Sequence, residues 1–314
     1  IYLEHNGMIG RGEAAPSRRY DEFTDDIIQI LDQGIEIPNQ IDDPKKFSEN
    51  IVNQCRGIKS LEVAFSMAVL DLWCQQSKHP LYEYFNADPS QTPYTSYTIS
   101  IGDMDLISEK VNEGSPYSIL KVKLGMGIKK DKEIMKAIRL ETDKVIRVDA
   151  NEGWDLETGI EMCQWLSEQG VEFVEQPFKS TNLKDTAELR KKSPLPLIAD
   201  ENSLQSSDIP GIENVFDGIN IKLMKCGSLF EALTMIKMAR DRDMKIMLGC
   251  MIESSIGITA AAHLSPLVDY ADLDGNLLIN NDPYTGVTVN NGQLVLPEGN
   301  GLGISLNSTD NNLL

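Results

Sequence analysis

Histidine is scarce in this 314-residue sequence: His5, His79 and His263 are the three that occur, and all fall outside the ends of the apolar runs. A His-Asp base at a late strand end is therefore excluded, and His263 reads as a core or helix-face residue. Positive charge is also short, with 29 Lys+Arg against 48 Asp+Glu, and the formal net charge of −19 repels phosphate backbones and anionic lipid surfaces. Neither nucleic acid nor membrane is an expected partner. Apolar runs such as 246–248 and 258–262 are far shorter than the roughly 20 residues that span a bilayer, and no charged-then-apolar leader is read at the front. The five cysteines, Cys55, Cys74, Cys163, Cys226 and Cys250, are an odd number without a C-x-x-C pair. They read as reduced thiols in a cytoplasmic protein.

Carboxylates are abundant, and the stretch 145–201 arranges three of them. Asp149 in VIRVDAN, Glu175 in EFVEQP and Asp200 in PLIADE each follow a short run of β-branched or aromatic residues, too short for a helix. Amphipathic segments at 156–168 and 183–191 lie between them. The acids are spaced by roughly 25 residues, one strand-loop-helix-loop unit, and right-handed crossovers bring parallel strand ends to one rim. Three such acids together repel unless a cation joins them, and hard oxygen ligands favour Mg²⁺ or Mn²⁺. Strand-end acids that merely cap the following helices are the alternative.

Residues 1–13 read as a hairpin turning at Asn6-Gly7, and more sequence is expected upstream of Ile1. Helical periodicity follows at 21–33, 44–55 and 60–76, the last with one apolar face through Leu61, Phe65, Ala68, Leu72 and Trp73. From 92 onward strand and helix alternate, with strands predicted at 94–101, 119–123, 145–149, 173–175, 197–200, 218–222, 245–248 and 270–274. Eight such strands predict an α/β fold, a (β/α)7β TIM-like barrel with an α+β capping domain. An open doubly wound sheet would need a Gly-rich phosphate turn after its first strand, which is missing; KLGMG reads as a turn. The predicted division is 1–91 for the cap, 92–275 for the barrel and 276–314 for an extended segment returning to the cap.

Lys121 and Lys123 in ILKVKLG are two apart on one strand and share a face. Their mutual repulsion and desolvation are expected to depress their pKa values and suit one of them to act as a base. An exposed edge strand is the bland alternative. Lys222 ends the sixth strand, across the barrel, and Lys225 three residues on reads as solvated or capping. Asp272 and Asp274 in ADLDG share a face of the eighth strand and suit a cationic ligand group, unless they form an acidic turn before Gly275.

Taken together, KVK, VDANEGW, VEQP, ADE, NIKLMKCG and MIESSIGITAAAH resemble, in order, the enolase superfamily, in the branch that holds muconate-lactonising enzymes, o-succinylbenzoate synthases and dipeptide epimerases. Enolase-superfamily sites in general use a Lys or His base with Mg²⁺. The resemblance implies Mg²⁺ on Asp149, Glu175 and Asp200, acid/base catalysis by Lys123 and Lys222, and Lys121 in support. It further implies a substrate ammonium on Asp272 and Asp274, and Cys250 and Ile252 lining the pocket. The implied reaction is 1,1-proton transfer at the C-terminal α-carbon of a dipeptide such as L-Ala-D/L-Glu, through a metal-stabilised ene-diolate, in a homo-oligomer. An o-succinylbenzoate synthase, an N-acylamino acid racemase and a non-catalytic binding barrel are the alternatives. Arg18 and Arg19 are read either as contacts for an acidic side chain or as surface residues.

Overall fold

The computed structural model describes residues 1–38, 41–100 and 104–307. It opens on a hairpin, β1 (Tyr2–His5) and β2 (Met8–Arg11), with His5 opposite Met8. Asn6 and Gly7 both take positive φ, 52° and 75°, as a tight turn between twisted strands requires. Three helices follow, α1 (Thr24–Gln33), α2 (Pro44–Val52) and α3 (Lys59–Ser77), then the single turn α4 (Leu81–Tyr84). The start of α2 is set by Asp43, whose carboxylate accepts from the N–H groups of Lys45 and Lys46, with Pro44 in the first turn.

α3 departs from the one-sided helix its sequence suggested. Leu61, Phe65 and Val69 enter a core shared with Ile27, Ile30, Phe47 and Ile51, while Val63, Met67, Leu70 and Cys74 enter the main core of the barrel. A helix clamped between two apolar cores has almost no solvent face to keep polar. β2 packs tightly on it: a Cβ at Gly10 or Gly12 would lie 2.0 or 1.8 Å from the carbonyl oxygens of Ala68 and Ala64. Both positions admit glycine alone.

The alternating region runs β3 (Ser96–Ile99), α5 (Ile107–Glu113), β4 (Ile119–Lys123), α6 (Ile128–Glu141), β5 (Val145–Asp149), α7 (Leu156–Glu168), β6 (Val171–Glu175) and α8 (Leu183–Lys192). It continues with β7 (Leu197–Ala199), α9 (Ile209–Ile212), β8 (Gly218–Lys222), α10 (Leu223–Cys226), α11 (Leu229–Arg240), β9 (Lys245–Gly249), α12 (Ser255–Ala262) and β10 (Tyr270–Asp272). Strands β3 to β10 form one parallel sheet in chain order. Its two edges meet at a seam where Thr95 bridges Ala271, Ser96 Oγ donates to Asp272 Oδ1 and the Leu273 N–H donates to Thr95 Oγ1. The expected barrel behind an N-terminal α+β unit is therefore present. Of the predicted first strand, Ser96–Ile99 is observed and residue 101 lies outside the described residues; the predicted eighth stops at Asp272, so Asp274 sits just beyond it.

Inside the barrel the two-residue strand period separates two layers. Phe173, Ile198 and Met247 pack with Tyr270, and the Arg147 guanidinium lies 5.3 Å and 5.0 Å from the ring centres of Phe173 and Tyr270. Two residues further along the same strands come Asp149, Glu175, Asp200, Gly249 and Asp272. An apolar floor thus underlies a polar mouth.

After β10 the chain forms β11 (Tyr284–Thr285), paired with β14 (Ser305–Leu306), and β12 (Thr288–Asn290), paired with β13 (Gln293–Val295). Leu302 N–H donates to Asp71 Oδ1 at 2.8 Å and Leu81 N–H to Gly301 O at 2.8 Å, which ties this segment to α3 and α4. His263 is buried, with Nε2 3.1 Å from Leu302 O, the core position its sequence suggested. All five cysteines are free, and among the described residues no helix is long and apolar enough to cross a membrane.

Candidate active site

Five neighbouring strands deliver, in order around the mouth, Lys123 from β4, Asp149 from β5, Glu175 from β6, Asp200 just after β7 and Lys222 from β8. Register holds three of them level: Lys123 pairs with Asp149, and Asp149 with Glu175. β4 and β8 are half a circuit apart, so the two lysines stand on opposite sides with the acids between them. The backbone turns sharply after the acids, with φ of +46° at Asn151, +62° at Glu152 and +36° at Gln176. Non-glycine residues held there carry strain of the kind that collects at functional sites.

Lys121 lies one layer below Lys123. Its Nζ is 2.7 Å from Glu175 Oε2, 2.7 Å from Asp272 Oδ2 and 3.3 Å from Asp149 Oδ2. Burial alone pulls its pKa down, but Asp272, Glu175 and Asp149 outweigh burial and hold it well above the usual lysine value. This overturns the expected depression by Lys123. The deeper ammonium is surrounded by carboxylates from other strands, while the Lys123 side chain is 39% exposed with its Nζ 4.0 Å from Asp149 Oδ2. No lysine or arginine directly adjoins Asp149, Glu175 or Asp200 in the sequence, yet folding brings ammonium groups against all three.

Lys222 and Lys225 share Asp200. Lys222 Nζ lies 2.8 Å from Oδ2 and Lys225 Nζ 2.5 Å from Oδ1, and Lys225 also donates to the carbonyls of Asp200 and Asn220. Lys225 is therefore no solvated cap: its side chain is fully buried beneath the acids. Burial lowers the pKa of Lys222, but Asp200 and Glu175 more than offset it and the net shift is upward. Burial raises that of Asp200, but its two lysines hold it far below the usual range. For Lys225 burial prevails and the shift is downward.

The oxygen chemistry suits a hard divalent cation. Asp149, Glu175 and Asp200 are each at most 2% exposed. Glu175 is pushed up to about 7, first by burial and, against the pull of Lys121, by Asp149 and Asp200. Its Oε2 lies close to Lys121 yet receives no aligned hydrogen bond. A buried oxygen left over in a cluster of negative charge is what a cation would satisfy. The acids lean onto ammonium groups in this arrangement, and among the described residues no three acid, His or Cys side chains enclose a cation-sized centre.

Asp272 is occupied by Lys121 and by Ser96 Oγ at 2.6 Å, whereas Asp274 Oδ2 accepts the Thr98 N–H at 2.6 Å. Burial, then Asp272, pushes Asp274 up to about 6. Cys250 Sγ lies 3.3 Å from Asp272 O, and Ile252, 61% exposed, lies on the loop after β9. The cap reaches the same rim. Arg19 makes ion pairs of 2.7 Å with Glu152 and 2.8 Å with Glu201, while Glu13 binds the start of α12 through Ser254. Asn220 and Glu13 escaped the sequence reading and Lys225 was misplaced in it, since each acts on partners that folding brings alongside.

A capped parallel barrel with lysines on opposed strands and acids between them defines the enolase class of barrel protein. Residues 104–310 match the family described as "Enolase C-terminal domain-like". The chain is 37% identical over 310 residues to the L-Ala-D/L-Glu epimerase of Bacteroides thetaiotaomicron, covering 97% of this chain and 80% of that protein. It is 36% identical over 315 residues to a hydrophobic dipeptide epimerase of Flavobacteria bacterium, covering 95% and 87%. The crystal structure of a dipeptide epimerase from Cytophaga hutchinsonii with Mg and D-Ala-L-Val superposes with a TM-score of 0.88 at 28% identity, covering 96% of this chain and 86% of that one. The chain belongs to the enolase superfamily and, within it, to the dipeptide epimerase family.

Proposed function

We propose that this protein is a Mg²⁺-dependent isomerase that inverts the C-terminal α-carbon of a dipeptide, with L-Ala-D/L-Glu as the substrate. The observation that carries the reading is the placing of Lys123 and Lys222 on opposite sides of the mouth with three acids between them. Asp149, Glu175 and Asp200 would hold Mg²⁺, whose charge offsets the second negative charge that arises on the substrate carboxylate when the α-proton leaves.

Lys123 and Lys222 then exchange protons with opposite faces of that carbon. One accepts the α-proton and the other, as an ammonium, returns a proton from the far side, so configuration inverts. Lys121 stays charged and keeps Glu175 and Asp272 from repelling each other. Asp272 and Asp274 receive the substrate ammonium and fix which end of the dipeptide faces the lysines, with Cys250 and Ile252 beside it. Arg19, held at the rim by Glu152 and Glu201, offers a guanidinium to an acidic C-terminal side chain. The division into a cap at 1–91, a barrel at 92–275 and a returning segment at 276–314 belongs to the same reading, with Glu13 and Arg19 as cap residues that complete the mouth.

The rival is a racemase of N-acylated amino acids or an o-succinylbenzoate synthase, whose ligands carry no free ammonium; the paired carboxylates at 272 and 274 speak against both. Incubation with Mg²⁺ and a dipeptide panel in D₂O should place deuterium at the C-terminal α-carbon. Exchange with N-acylated amino acids and with no dipeptide would overturn the proposal.

A further inference from the structure

Each of the three acids has one oxygen tied to the protein frame and the other turned toward a lysine of the barrel. Asp149 Oδ1 accepts the Asn151 N–H at 3.0 Å while Oδ2 faces Lys121. Glu175 Oε1 accepts from Asn220 Nδ2 at 2.7 Å while Oε2 faces Lys121. Asp200 Oδ1 accepts from Lys225 Nζ at 2.5 Å while Oδ2 faces Lys222.

The lysine that ties the third acid also binds the backbone of the residue that ties the second. Lys225 Nζ donates to Asp200 O at 2.8 Å and to Asn220 O at 3.1 Å, so with Asp200 Oδ1 its three N–H groups are all engaged. Asn220 fits under Glu175 because the neighbouring strand carries glycine at 249. A Cβ there would lie 2.6 Å from Asn220 Oδ1 and 2.8 Å from Nδ2. We infer that Lys225 and Asn220 are positioning residues which fix Asp200 and Glu175 so that their lysine-facing oxygens, Oδ2 and Oε2, are presented to a divalent cation; this rests on reading Asp149, Glu175 and Asp200 as its ligands.

Charge and geometry predict opposite results. A bystander ammonium next to Asp200 repels a cation, so deleting it would tighten binding. A positioning ammonium stops the carboxylate from rotating, so deleting it weakens binding.

Mn²⁺ titrated into the full chain by calorimetry, with its EPR spectrum recorded alongside, separates the two. Lys225→Met and Asn220→Ser should each bind Mn²⁺ about 10–100-fold more weakly than the parent protein. Gly249→Ala, which displaces the Asn220 amide without removing any charge, should do the same, and it decides the matter if Lys225→Met does not fold. Unchanged or tighter Mn²⁺ binding by the folded variants overturns this inference alone. Absence of Mn²⁺ uptake by the parent protein overturns it together with the ligand reading.

Discussion

Glu13 grips Ser254 twice: Oε1 accepts its backbone N–H at 2.7 Å and Oε2 its hydroxyl at 2.7 Å. Oε2 also accepts the Gly257 N–H at 2.9 Å, so a carboxylate from the cap sits on the N-terminal turn of α12, where exposed N–H groups and the helix dipole favour negative charge. Hydrogen bonds to charged groups are worth about 1.5–3 kcal/mol each. The three bonds share one carboxylate and do not add in full, so Glu13→Ala should lower the unfolding free energy by roughly 2–4 kcal/mol in urea titrations. A midpoint unchanged from the parent protein would show that the clasp contributes nothing.

Stability should bend at both ends of the pH scale, for two separate reasons. Glu253 is buried, and burial followed by Glu13 pushes it from 4.5 up to about 8. Because its folded value is the higher one, its contribution is complete below about pH 4.5 and disappears as the pH rises through about 8. His263 has the opposite sign. Burial lowers it from 6.5 to about 4 against the bond to Leu302, so stability is lost as the pH falls from about 6.5 toward 4. Unfolding free energies across pH should flatten on the alkaline side in Glu253→Gln and on the acid side in His263→Gln, by a few kcal/mol at most on the scale of about 1.4 kcal/mol per pKa unit. Parallel profiles in all three proteins would contradict this.

The proposed roles of Lys123 and Lys222 as opposed bases make a directional prediction. Lys123→Met and Lys222→Met should each lower epimerisation by about 10²–10⁴-fold. Each should still exchange the α-proton of one dipeptide epimer with D₂O, and the two variants should retain opposite epimers. Retention of the same epimer by both would mean that the lysines do not flank the carbon.

Asp274 is the cleaner probe of ammonium recognition. Asp272 also holds Lys121 and Ser96, so Asp272→Asn would disturb the interior ion pairs along with any substrate contact. Asp274→Asn should raise KM for dipeptides by about tenfold or more, since a charge-assisted bond to the ammonium is lost. Equal KM values in the variant and the parent protein would remove Asp274 from substrate binding.

Arg19 tests the side-chain preference. Arg19→Met should lower kcat/KM for L-Ala-D/L-Glu by about tenfold, the scale of one charged contact, and leave apolar dipeptides unaffected. Equal losses on both substrates would assign Arg19 to holding Glu152 and Glu201 instead.

What the sequence alone determined was the local order of the barrel and which residues reach its rim. Short apolar runs at even spacing defined β4, β5 and β8 to the residue, because strand formation depends on neighbours a few positions away. The period of two put Lys121 and Lys123 on one face, and right-handed crossovers between parallel strands brought Asp149, Glu175 and Asp200 to one rim. Tertiary structure decided what those groups meet. Lys121 and Asp272 are 151 residues apart, and Glu13 and Ser254 are 241 apart. Whether a lysine is solvated like Lys123 or buried like Lys225, and whether α3 faces one core or two, depends on segments brought alongside by barrel closure. No window of sequence contains both partners, and charge interactions act through space rather than along the chain.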